Sequence, residues 1–219
     1  MSLPHLKRPP ANPLPSAKPP LLVLLHGYGS NEADLFSFAD ILDERFLVLS
    51  PRAPQTLGQG GYAWFDLGFG PDGNLTHSPQ QVLDARDQLI AFIHEAIEAY
   101  DTDAQQVYLL GFSQGAMMSA LVALSEPTLI AGAVMMSGLI PDEMQPLIAP
   151  PEQRKTLRLF VGHGTHDEVV PVAKGRAAAT LLTALNIAHE YHEYPIGHHF
   201  SEEALDDITG WLSVRLDNQ

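Results

Sequence analysis

The pentapeptide Gly111-Phe112-Ser113-Gln114-Gly115 is the part of this sequence best suited to chemistry. A serine set between two glycines in this spacing suits a strand that turns sharply into a helix, with the hydroxyl at the apex of the turn. An apolar run at 107–110 precedes it, and a helix-forming stretch with Ala116, Met117 and Met118 follows. The glycines leave room for a tight turn, the serine is held in a strained conformation, and the helix amino end behind it favours negative charge. A glycine-flanked helix cap is the plainer reading of the same residues. A serine hydroxyl is a weak nucleophile near neutral pH. It needs a base to take its proton and an acid to orient that base.

Two later segments offer those partners. Gly162-His163-Gly164-Thr165-His166-Asp167 follows the apolar run 157–161, and Pro195-Ile196-Gly197-His198-His199 follows the alternating run 189–194. Serine, acid and histidine thus occur in the order found where the nucleophile sits on a strand-to-helix elbow, with Asp167 as orienting carboxylate and His198 as general base. Glu168, His199 and Asp142 (after Ser137-Gly138) compete for these roles. His163, His166 and Asp167 also admit a metal reading. Zinc sites, however, take three or four ligands with supporting groups around them, and no H-E-x-x-H helix occurs. His26, before Gly27-Tyr28-Gly29, reads as support for a turn rather than as a base.

These groups need a scaffold, and the hydrophobic pattern supplies one. Leu21–Leu25 is apolar throughout, as in a strand buried on both faces. A helix is expected over 31–43 with Asn31 as its cap, and a strand over 46–50. Residues 51–77, with six glycines, read as a long loop. Ser78-Pro79-Gln80-Gln81 looks like a helix start, with a serine cap and a glutamine placed for a capping box. Val82, Leu89, Ile90, Ile93, Ala96, Ile97 and Tyr100 then form an apolar stripe. Strands at 106–110, 129–136, 157–161 and 189–194 alternate with helices at 114–124, at 172–185 and after Ser201. This alternation implies an α/β fold with right-handed crossovers and a mainly parallel sheet carrying helices on both faces. Functional groups then lie on loops at the carboxyl ends of the strands. One domain is expected over 21–219. Residues 1–20, with seven of the 18 prolines, are expected to run extended along its surface.

The chain resembles the phospholipase/carboxylesterase family of small α/β-hydrolases, which includes the acyl-protein thioesterases. The resemblance rests on Leu25-His-Gly-Tyr-Gly-Ser30, Pro51-Arg-Ala-Pro54, Ala63-Trp-Phe-Asp66, Gly111-Phe-Ser-Gln-Gly115, Gly162-His-Gly-Thr-His-Asp-Glu-Val-Val-Pro171 and Gly197-His198, and it spans residues 21–212. It implies a single α/β-hydrolase domain and hydrolysis of esters or thioesters without a cofactor or metal. It selects Asp167 over Glu168, and it selects His198, directly after Gly197, over His199. It assigns the oxyanion donors to the main-chain N–H groups of Tyr28 and Gln114. Ala116 departs from the family, where a second glycine is frequent. Alanine is a good helix former, so no loss of chemistry is expected. Where relatives of this fold insert large helical lids, only residues 137–155 are available, which predicts no large lid and an open, shallow site. Trp64, in the aromatic-rich stretch with Tyr62, Phe65 and Phe69, is expected to line the acyl pocket.

Charge and composition remove other classes. Twelve basic against 26 acidic residues give a net charge of −14, which repels phosphate backbones and anionic lipid surfaces, so no nucleic-acid partner is expected. The absence of cysteine excludes disulfides, thiolate metal sites and cysteine nucleophiles. No apolar run is long enough to cross a bilayer, and no leader pattern precedes the first strand, so a cytoplasmic location without membrane insertion is expected. The expected partner is a small-molecule ester, and the resemblance is compatible with a homodimer. The reading is a serine carboxylic-ester hydrolase that acts on short to medium acyl esters through an acyl-enzyme. The alternatives are an acyl-thioesterase or lysophospholipase with the same triad and, from a different class, a non-catalytic ligand-binding protein of this fold.

Overall fold

The computed structural model describes residues 1–12, 18–69 and 75–217; for Phe69, Leu75, Asp142 and Glu143 the backbone alone is described. The strands are β1 His5–Arg8, β2 Leu21–Leu25, β3 Leu47–Pro51, β4 Gln55–Gly58, β5 Gly61–Ala63, β6 Gly68–Phe69, β7 Leu75–Thr76, β8 Val107–Phe112, β9 Gly132–Met136, β10 Arg158–Gly164 and β11 Ala188–Tyr194. The helices are α1 Ala33–Phe36, α2 Pro79–Tyr100, α3 Gln114–Ser125, α4 Val172–Ala184 and α5 Glu202–Asp217.

Seven strands form the central sheet in the order β1-β3-β2-β8-β9-β10-β11, parallel except where β1 runs against β3. The strands read as continuous apolar runs because both faces are covered. Leu22, Leu24, Tyr108, Leu110, Val134 and Phe160 pack under α1 and α5, with Ile208, Trp211 and Leu212. Their neighbours Leu21, Val23, Leu25, Leu109, Ala133, Met135 and Val161 pack under α2, α3 and α4. The period of two thus divides each strand between two cores. From β2 the chain winds one way to β3, then returns to the other side of β2 as β8. The strand order reverses there, and the crevice at the carboxyl ends of β2 and β8 is where open α/β sheets bind ligands. Leu25 pairs with Gly111, so the segments 26–28 and 112–114 leave the sheet side by side.

Several local expectations change. The helix expected over 31–43 is two short pieces, α1 and a 3-10 turn Ala39–Ile41. The Ser37 N–H and hydroxyl both donate to the Asp34 carbonyl, at 3.1 and 2.6 Å, which competes with continuing the helix. Asn31 does accept the Ala33 N–H. Ser78 makes no side-chain cap. Gln81 instead reaches Asp66, accepting its N–H and donating to its carboxylate, both at 3.1 Å. Residues 51–77 are not all loop, since β4 and β5 form a hairpin and β6 pairs with β7.

The boundary expected at residue 20 also shifts. β1 pairs with β3 through His5↔Pro51 to Arg8↔Val48, and Leu3 is buried. The edge of β3 would otherwise present unpaired N–H and C=O groups, and the start of the chain satisfies them. Between Ser137 and Lys155 the elements described are a 3-10 turn, Asp142–Leu147, and irregular chain, so among the described residues this segment holds no large helical lid. Among the described residues no helix is long and apolar enough to cross a membrane.

Candidate active site

Ser113 stands between β8 and α3 with φ 54° and ψ −115°, a conformation costly for any residue with a side chain. The flanking glycines make the turn possible. A Cβ at Gly115 would lie 1.9 Å from the Leu25 carbonyl oxygen, and one at Gly111 would lie 2.2 Å from the Gly115 oxygen. The Ser113 N–H donates to the Met136 carbonyl at 2.9 Å, tying the turn to β9. Ala116 is accommodated because its neighbour is Gly138, where a Cβ would lie 2.5 Å from the alanine methyl. α3 is buried along nearly its whole length, which anchors the turn from behind.

His198 joins the two other candidates. Its Nε2 lies 2.9 Å from Ser113 Oγ, and its Nδ1 lies 2.7 Å from Asp167 Oδ2. With Nδ1–H donating to the carboxylate, Nε2 is left as the acceptor for the serine hydroxyl. The Asp167 side chain has no exposed surface, and its Oδ1 accepts the N–H groups of Val169 and Val170 at 2.9 and 2.8 Å. Burial by itself would raise its pKa. The His198 hydrogen bond and the two N–H donors outweigh burial and hold the carboxyl below its ordinary value, so it stays ionised. The His198 ring rests on Phe112, with centroids 4.8 Å apart, and Phe112 rests on Phe200 at 5.1 Å. No spacing rule points to this aromatic support.

The competing residues separate cleanly. Glu168, His166 and His199 are exposed, while the Asp142 side chain lies outside the described residues. His163 is fully buried, with Nε2 2.7 Å from the Val170 carbonyl, and so braces the loop that carries Asp167. Among the described residues, no group of three or more His, Asp or Glu is placed to hold a metal ion.

The two candidate oxyanion donors flank the serine. Gly27 packs against it, since a Cβ there would lie 3.4 Å from Ser113 Cβ. The N–H groups of Tyr28 and Gln114 have no protein acceptor among the described residues. They are free to donate to a ligand atom.

Trp64 is not where the sequence reading put it. It is 1% exposed, tilted against the His26 ring at 5.7 Å, and its Nε1–H donates to the His26 carbonyl at 3.0 Å. An indole buried in this way needs a partner for its N–H, and the carbonyl beside the turn provides it. The ring props the turn instead of walling a pocket. Phe65 is also buried, whereas the Phe69 ring lies outside the described residues. Gln114 completes this strap: its side-chain oxygen accepts the Trp64 N–H at 2.9 Å and its amide donates to the Phe65 carbonyl at 2.7 Å. The residue after Ser113 is therefore a structural clamp through its side chain. Tyr28 and Val169 are large apolar residues left exposed in the turns beside the serine and the acid, at 41% and 59%. A cavity of about 680 Å³, containing Tyr108, Ile130 and Arg158, lies at the opposite, amino-terminal edge of the sheet and takes no part in this site.

Known proteins resemble this chain along nearly its whole length. A model of the phospholipase/carboxylesterase family matches residues 14–216. The carboxylesterase SOBER1 of Arabidopsis thaliana is 29% identical over 208 residues, covering 89% of this chain and 90% of that protein. The acyl-protein thioesterase 1 of Mycosarcoma maydis is 28% identical over 224 residues, covering 92% and 93%. Among solved structures, esterase PE8 superposes with a TM-score of 0.80 and 30% identity, covering 98% of this chain and 99% of that one.

Proposed function

The chain belongs to the phospholipase/carboxylesterase family, and from that premise we propose a serine carboxylic-ester hydrolase in which Ser113 is the nucleophile, His198 the general base and Asp167 its orienting acid. The observation that carries the reading is the continuous hydrogen-bond chain from Ser113 Oγ through both His198 ring nitrogens to a buried, ionised carboxylate. His198 Nε2 takes the hydroxyl proton as Oγ bonds to the ester carbonyl carbon, and the carbonyl oxygen becomes an oxyanion between the N–H groups of Tyr28 and Gln114. Asp167 stabilises the imidazolium that forms. The imidazolium then returns its proton to the departing alcohol oxygen, leaving an acyl-Ser113. Water, deprotonated by the same Nε2, attacks that ester. Nε2 returns that proton to Ser113 Oγ as its bond to the acyl carbon breaks, and the carboxylic acid product leaves, giving up its own proton to solvent.

A thioester passes through the same acyl-enzyme, and the acyl-protein thioesterase relative supports this second reading. With no large helical lid among the described residues of 137–155 and Trp64 turned inward, the acyl chain is left to exposed groups such as Tyr28 and Val169, which favours short to medium chains. A fluorophosphonate probe should label wild-type protein at Ser113 and leave S113A unlabelled. A series of p-nitrophenyl esters, run beside thioesters of matched acyl length, identifies the preferred class. Unimpaired hydrolysis by S113A overturns the proposal.

A further inference from the structure

His26 is fully buried, directly follows β2, and takes no part in the proton relay. Both of its ring nitrogens are engaged. Nε2 accepts the Ala53 N–H at 3.1 Å, which leaves the proton on Nδ1, and Nδ1 lies 2.8 Å from the carbonyl oxygen of the next residue, Gly27. Nδ1–H therefore donates to Gly27 O. Burial pushes the ring's pKa below its ordinary value and keeps it in this neutral form.

The consequence lies one bond further on. Gly27 C=O and Tyr28 N–H belong to the same peptide unit, which is planar and trans, so the two groups point in opposite directions. Holding the carbonyl toward the imidazole holds the Tyr28 N–H away from it. Gly27 packs against Ser113, and that N–H has no protein acceptor among the described residues. Glycine on one side of this peptide offers little resistance to its rotation. The turn has one further internal hold on the same carbonyl, a longer bond from the Ser30 N–H at 3.2 Å. We infer that His26 is a positioning residue for ester hydrolysis: through Nδ1–H it sets the peptide plane that aims the Tyr28 N–H at the oxyanion. The inference rests on the proposed role of Ser113 and goes beyond it, because it assigns catalytic consequence to a side chain that touches neither substrate nor nucleophile.

Two substitutions separate this role from packing. In H26N the side-chain amide NH₂ stands near the place of Nδ1 and can still donate to Gly27 O. In H26Q the longer amide reaches the place of Nε2, can serve Ala53, and leaves Gly27 without its donor. Asparagine leaves the larger void, so a packing role makes H26N the worse variant. A positioning role makes H26Q the worse one. H26Q should lose roughly 10- to 100-fold in kcat with KM within about two-fold, somewhat less than removal of an oxyanion donor outright, and H26N should stay within about five-fold of wild type. An alkyl trifluoromethyl ketone, which forms a tetrahedral oxyanion adduct on an active serine, should bind H26Q more weakly by the same factor as the loss of kcat. The measurements are steady-state kinetics on a p-nitrophenyl ester, inhibition by the ketone, and thermal unfolding of each variant. Equal kcat in H26Q and wild type, or ketone binding unchanged in H26Q, overturns the inference while Ser113 keeps its role. H26N losing more kcat than H26Q overturns it in favour of packing. A wild-type protein that neither hydrolyses the ester nor binds the ketone overturns the reading of Ser113, and this inference with it.

Discussion

A turn and a strap meet at the crevice between β2 and β8, and they are built on different principles. The turn around Ser113 is fixed by steric fit, of Gly111 against the Gly115 carbonyl and of Gly115 against Leu25 of β2, with one main-chain bond to Met136. Its glycines sit where a Cβ would overlap a carbonyl oxygen, and the serine is forced to φ 54° between a strand and a helix. The strap from Ala53 to Phe65 is fixed by hydrogen bonds to distant residues: Ala53 N–H to His26, Trp64 Nε1–H to the His26 carbonyl, and Trp64 N–H to the Gln114 side chain, 50 residues away. The turn presents Ser113, the proposed nucleophile; the strap holds the neighbouring turn that carries Tyr28, whose N–H is one of the two proposed oxyanion donors. A strained, sterically locked turn tolerates no added atom, whereas a strap held by several hydrogen bonds loses strength one bond at a time.

The sharpest contrast comes from the chemistry itself. S113A and H198A should each cost a factor of order 10⁴ or more in kcat, and the double variant should cost no more than either, because the residues act as a unit. Multiplied losses would separate the two. H199A should remain within a few-fold of wild type, since its ring is exposed; an inactive H199A beside an active H198A reverses the assignment of the base.

Next in size is the steric lock. G115A puts a methyl where 1.9 Å separates it from the Leu25 oxygen, so β2 or α3 must move. A loss of about 3 kcal/mol or more in urea unfolding is expected, with activity falling alongside. G60A, at the tip of the β4–β5 hairpin, has open space around its Cβ but a φ of 82°, and should cost only about 1 kcal/mol. If the two cost the same, the contrast between turn and strap fails.

W64F tests the strap by a single bond. It keeps the bulk of a ring, removes the Nε1–H donor and leaves the His26 carbonyl buried without it, at about 1–3 kcal/mol. Because Trp64 is buried, the dependence of kcat/KM on acyl length should keep its shape in W64F, measured from C2 to C12 esters below their micelle concentrations. A flattened profile would return the ring to the acyl pocket.

The smallest effect is in pH. The segment Gly111 to Gly115 contains no titratable group, whereas the strap closes on His26, whose pKa is held below its ordinary value of 6.5 by burial. The unfolded chain therefore binds a proton that the folded chain refuses. This contribution to stability is complete above about pH 6.5 and declines as pH falls from there toward the folded-state pKa, with a slope of at most about 1.4 kcal/mol per pH unit. Urea unfolding at pH 7.5 and 5.5 should show a smaller difference for H26N than for wild type. An equal difference would mean that His26 takes up its proton in the folded state as readily as in the unfolded one.

Much of the site can be read along the chain because its determinants are short-range or periodic. The apolar runs and their alternation with helices yield a parallel sheet with the catalytic loops at one edge. The glycines around Ser113 mark a strained turn, the order of serine, acid and histidine at later strand ends narrows the partners, and the family resemblance selects Asp167 and His198, which the fold brings within hydrogen-bond reach of one another and of Ser113. Pairings between distant residues left no such trace. Gln114 looks like any first residue of a helix until its side chain is seen clamping Trp64 and Phe65. Trp64 in a glycine-rich stretch looks like a pocket wall until its N–H is seen to need the His26 carbonyl. The prolines at the start of the chain point to a segment extended along the surface; that its residues His5–Arg8 pair with the open edge of β3 has no signature in the sequence. Local sterics and periodicity are properties of the sequence alone. Which buried donor meets which acceptor is decided only when the sheet and its two helical layers close, because only then are those groups removed from water and obliged to find a partner.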